Sequence, residues 1–90
     1  LLPAERAFLF LPFEHSEKIE DQDYCVAKYS ELASGASPDL RDEFMGALEW
    51  AVRHQRVVKK YGRFPDRNEV FGRKSTPEEE TFLASDEAPF

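Results

Sequence analysis

The chain has 90 residues, of which 41% are hydrophobic and 33% charged, with a formal charge of −6. That length and balance predict one small folded domain and exclude collagen-like, low-complexity and membrane-spanning chains. A single cysteine excludes an internal disulfide framework and a cysteine-rich zinc module.

The charge is unevenly placed. Residues 1–52 hold four basic and eleven acidic side chains, 53–74 hold eight basic and two acidic, and 75–90 hold five acidic and no basic. An acidic chain thus carries one basic island. Overall acidity argues against non-specific nucleic-acid binding, while the island leaves room for an anion site.

In chain order, the first expected helix runs from Ala4 to Phe13, with Pro3 at its start and Pro12 ending or kinking it. A second helix is expected over 17–34, with Ser16 as N-cap, acids in the first turn and Gly35 as the stop. Its apolar stripe is Ile19, Cys25, Val26, Tyr29, Leu32 and Ala33, interrupted by Gln22 and Asp23. Ser37-Pro38-Asp39 starts a third helix ending at Gly62, with Leu40, Phe44, Leu48, Ala51 and Val58 on one face and Gln55 as the gap. The short link between the second and third helices makes them antiparallel. A single turn is expected from Asp66 to Phe71. Thr76-Pro77-Glu78-Glu79 reads as a capping box opening a last helix to about Ser85, with Phe82 and Leu83 inward. The tail 86–90 reads as loose. Together these give an all-α fold of antiparallel helical hairpins, about four helices in one domain.

No glycine-rich phosphate loop, paired-cysteine pattern or HExxH motif is present, so no metal or cofactor is expected. His15, in Glu14-His15-Ser16, and His54, one turn from Trp50 and Val58, are the acid/base candidates. Each is weighed against the plainer reading of a histidine hydrogen-bonded within the fold. Arg53, Arg56, Lys60 and Arg63 form one helical stripe, with Glu49 four residues before Arg53. Arg67, Arg73 and Lys74 follow in the connecting segment. Arginine forks suit carboxylates and phosphates, so the island divides between an anion pocket and salt bridges to the acidic remainder. Cys25 and the aromatics read as core.

Three motifs carry a resemblance: Leu11-Pro12-Phe13-Glu14-His15-Ser16-Glu17, Tyr61-Gly62-Arg63-Phe64-Pro65-Asp66-Arg67-Asn68, and Gly72-Arg73-Lys74-Ser75-Thr76-Pro77-Glu78-Glu79 with Phe82-Leu83. Their order and spacing resemble the bacterial family catalogued as domain of unknown function 924. The resemblance implies an all-helical, tetratricopeptide-like fold, a cytosolic protein, and a chain corresponding to the C-terminal half of a larger helical unit. It implies no reaction. Asp66 stands where the family usually shows histidine, so no site using that imidazole is carried over.

The residues and the resemblance together point to a binding module. Glu14, Arg63, Arg67, Asn68 and Arg73 are the ligand-binding candidates, for a peptide or small anionic ligand. The alternative is an enzyme acting on a phosphorylated or carboxylated small molecule, with His15 or His54 as acid/base and arginines holding the anion. The chain starts Leu1-Leu2-Pro3, and no targeting signal or spanning segment is visible. A cytoplasmic location is expected, with no membrane partner. The aromatic load, with eight Phe, three Tyr and one Trp, predicts self-association or pairing with a missing N-terminal half.

Overall fold

Local signals set most of the helix boundaries. The computed structural model describes residues 8–86 and residue 88. Among them are four α-helices: α1 (Leu11–Glu14), α2 (Ile19–Gly35), α3 (Pro38–Tyr61) and α4 (Pro77–Leu83). A 3-10 turn covers Pro65–Arg67, and the described residues contain no strand. The fold is all-α, as expected. The start of the expected first helix, Ala4 to Ala7, and most of the tail lie outside the described residues. No described helix is long and apolar enough to cross a membrane.

Two helix starts differ from expectation. The helical residues Phe8 and Leu9 stop at a turn at Phe10, and Pro12 falls in the first turn of a new helix, α1, where its missing N–H would have had no partner. Ser16 does not cap α2, which begins at Ile19 after an uncapped Lys18. Its hydroxyl instead accepts from the Lys18 N–H at 3.1 Å and donates to Asp21 Oδ2 at 2.6 Å. That closes a local turn which competes with capping. The far end of α3 follows the sequence: Gly62 takes a left-handed conformation (φ 73°) and its N–H reaches Val58 O at 2.8 Å. A side chain there would meet the αL penalty. The capping box forms in full, with Thr76 N to Glu79 Oε1 at 2.9 Å and Glu79 N to Thr76 Oγ1 at 3.1 Å.

Helices α2 and α3 make an antiparallel hairpin through the two-residue link Ala36-Ser37. Cys25, Tyr29 and Ala51 form one buried cluster, with Phe10, Phe13, Val26, Leu32 and Leu48 packed around it. Val57, Val58 and Phe64 form a second, joined by Ile19, Tyr61 and Phe82. The polar gaps in the two stripes meet across the hairpin, where Gln55 Nε2 donates to Asp23 Oδ1 at 2.7 Å. Gln22, expected to break the stripe, is fully buried. Its amide donates to the carbonyls of Glu14 at 2.6 Å and Ser16 at 2.7 Å, satisfying backbone acceptors left open where α1 ends. The aromatics divide: Tyr29, Phe44 and Phe64 are core, whereas Trp50 and Phe71 are 46% and 62% exposed.

Candidate functional site

The basic island separates into two chemically different parts. Beyond Gly62, Arg63 and Arg73 meet buried or half-buried acids. Arg63 grips Glu79 with two hydrogen bonds, Nε to Oε2 at 2.9 Å and Nη2 to Oε1 at 2.7 Å, and also reaches Lys74 O at 3.0 Å. This fork, helped by the capping-box N–H of Thr76, holds the Glu79 carboxyl down at about 2 against the opposing effect of burial. Arg73 forks onto Glu17 at 3.0 and 3.1 Å and donates to Phe64 O at 3.2 Å. Glu17 Oε2 in turn accepts the Phe64 N–H at 2.7 Å. The Arg73 guanidinium beside it holds the Glu17 carboxyl below the ordinary carboxylate range.

Asn68 is buried beneath this tie. Its amide donates to Ser75 Oγ at 3.0 Å, and its backbone carbonyl accepts the Arg73 N–H at 2.7 Å. Arg63, Arg73 and Asn68 therefore work inside the fold, joining the 62–75 segment to α2 and α4. Arg67 differs: its guanidinium lies 4.7 Å from the Phe64 ring centroid, and it makes no ion pair among the described residues.

Both histidines sit near Glu14. That carboxylate is buried, with Oε1 3.7 Å from His54 Nδ1. His54 Nδ1 lies 2.8 Å from Trp50 O, an acceptor, so this nitrogen carries the proton when the ring is neutral and Nε2 is left as the base. The His15 and His54 rings stand 6.1 Å apart, and the Phe64 ring lies 5.7 Å from His54. Glu14 also faces Cys25 and Tyr29. Burial first, and that negative charge second, push both of these groups up to about 12. Cys25 is therefore an inert core thiol at neutral pH. No group of three or more His, Cys, Asp or Glu side chains among the described residues could hold a metal ion.

The other part of the island is open. Arg53, Arg56 and Lys60 line a groove of about 400 Å³ between α3 and the C-terminal segment, floored by Val57, Tyr61 and Phe82, with Asp86 at its margin. None of the three cations is ion-paired among the described residues. The expected Glu49–Arg53 pair does not form. Arg53 instead lies over Trp50, 4.8 Å from the ring centroid, and Lys60 lies 5.4 Å from the Tyr61 ring.

The three sequence motifs meet in space: Glu17 belongs to the first, Phe64 to the second, and Arg73 to the third. The family model described as bacterial protein of unknown function (DUF924) matches residues 1–87. The chain belongs to the DUF924 family. No curated protein and no solved structure matches it. In this DUF924 chain, Asp66 is exposed in the first turn after Phe64, apart from the buried ties on either side of it. Sequence reading missed Glu17, Gln22 and Glu79 as organising residues. Only Glu79 announced itself, through its capping box, and even there the tie to Arg63 was silent.

Proposed function

We propose that this chain is a helical binding module whose anion-accepting surface is the groove between α3 and the C-terminal segment. One observation carries the reading: Arg53, Arg56 and Lys60 border an apolar-floored groove without internal ion pairs, whereas Arg63 and Arg73 already hold carboxylates. Three cations beside Val57, Tyr61 and Phe82 suit a ligand with an anionic edge and an apolar body, such as an acidic peptide carrying an aromatic residue. The same reading keeps the chain in the cytoplasm, in line with its lone buried thiol. It also treats the chain as the C-terminal half of a larger, tetratricopeptide-like helical unit, in line with the antiparallel α2/α3 hairpin.

The test is calorimetric titration of dilute chain with a short Glu/Phe peptide and with a phosphorylated sugar. Binding that disappears in Arg56→Glu or Lys60→Glu is the expected result. Binding unaffected by both, or absent altogether, contradicts it.

A second reading is an enzyme with His54 as acid/base. What favours it is the Glu14–His54 approach, with His15 alongside and Arg67 stacked on the Phe64 ring that His54 also touches. Its test is a turnover screen with phosphorylated and carboxylated small molecules. Activity lost in His54→Gln with an unchanged melting temperature supports it; full activity in that variant sinks it.

A further inference from the structure

The outward face of α3 carries more than the basic groove. Asp42, Gly46, Glu49, Arg53, Arg56 and Lys60 follow one another at three- and four-residue steps, so they form a single stripe along the helix. The stripe lies opposite Phe44, Ala51 and Val58, the residues that α3 buries. Its two halves differ in sign. Residues 38–49 hold four acids and one base, and residues 50–61 hold four bases and no acid. A shallow hollow lined by Asp42, Met45, Gly46, Leu48 and Glu49 marks the acidic half, just as the groove marks the basic half.

The charges are spaced symmetrically about the level of Ala51. Glu49 and Arg53 lie two residues to either side of it, and Asp42 and Lys60 nine. An antiparallel second α3, related by a two-fold axis at that level, therefore sets Glu49 against Arg53 of the other copy and Asp42 against Lys60. Each pair occurs twice, as an isologous interface requires. None of these four side chains is ion-paired among the described residues.

Gly46 points the same way by an independent route. A glycine in a helix interior costs roughly 0.5–1 kcal/mol relative to alanine. Nothing lies within 4 Å of a Cβ built at Gly46, so no contact inside the chain accounts for it. On the outward face of a long helix, a missing side chain lets a second helix approach closely. Met45 and Trp50, each about half exposed, flank the stripe and supply apolar area.

We infer that the acidic partner of the groove is a second copy of this chain, docked antiparallel along α3. This inference rests on the groove reading above and names its occupant. The interface is one helix wide and rich in charge, at the small end of specific association, so exchange between monomer and dimer is expected at ~10 μM to ~1 mM chain.

Sedimentation velocity over that range is the test. The wild-type chain should dimerise, more weakly as salt rises from about 0.05 to about 0.5 M, because screening shortens the reach of the pairs. The double variants Asp42→Lys/Glu49→Lys and Arg53→Glu/Lys60→Glu should each be monomeric with native helical circular dichroism. Their equimolar mixture should recover the dimer. A chain still monomeric at about 1 mM, the weak limit of the expected exchange, overturns the inference. So does a dimer unaffected by both double variants, or a mixture that stays monomeric. If the dilute chain binds the Glu/Phe peptide but never dimerises, the groove reading stands and this inference falls. Charge-swap dimers without peptide binding leave the inference standing and remove the small-ligand reading.

Discussion

The same residue types do opposite work on the two sides of Gly62. Before it, Arg53, Arg56 and Lys60 lie on a helix face where no acid among the described residues pairs with them. After it, Arg63 and Arg73 close on Glu79 and Glu17, both held by two guanidinium hydrogen bonds. Geometry makes the difference. α3 is a helix of 24 residues, roughly 36 Å long. The chain measures 44 × 22 × 18 Å and is too small to wrap such a rod on every side. The irregular 62–76 segment, by contrast, folds back against the start of α2 and the start of α4, where acids meet it. A basic run in a sequence is therefore not one feature, and its exposed and tied parts should respond differently to substitution.

The largest effect is expected at Glu79, which is 2% exposed and serves both Arg63 and the capping box. Glu79→Ala strands the Arg63 guanidinium and opens the helix start, and should cost ~3 kcal/mol in urea unfolding. Gln22→Ala comes next, at about 1–3 kcal/mol by the same measurement, because it leaves carbonyls at the end of α1 without donors. A loss below about 0.5 kcal/mol at either site would mean that these ties are not holding the C-terminal segment and α1 in place.

Acid titration sharpens the contrast. The Glu79 carboxyl drops from its ordinary 4.5 to about 2 on folding. A depressed native value gives stability that is complete above the unfolded value and lost as pH falls toward the folded one. The melting temperature should therefore decline between about 4.5 and about 2, with Glu17 adding to the loss. Glu79→Gln should flatten that profile. Lys60→Glu, which reverses a charge in the last turn of α3, should cost about 1 kcal/mol, and the smallest stability effect is expected at Arg56→Glu, within about 0.5 kcal/mol of the parent chain.

What the sequence made legible was local. The capping box, the Gly62 stop and the length of α3 each depend on residues close to one another along the chain. Gln22 and Ser16 mislead for a related reason: polar residues at a helix entrance read as a gap and a cap, yet α1 folds back and turns the first into a carbonyl clamp, while the second closes a turn. The Glu17 tie spans 47 residues to Phe64 and 56 to Arg73, and no periodicity reaches that far. The basic stripe itself was visible. Which of its cations stay open was not, because that depends on where the partner acids lie once the chain has folded.

The most direct measurement is a pair of binding isotherms for the Glu/Phe peptide, taken on Lys60→Glu and Arg63→Gln alongside thermal melts of both variants. The expected result is a split: Lys60→Glu loses the peptide with only a small fall in melting temperature, and Arg63→Gln keeps it while melting markedly lower. The reverse pattern, with affinity lost at Arg63 and retained at Lys60, would contradict the division of the island at Gly62.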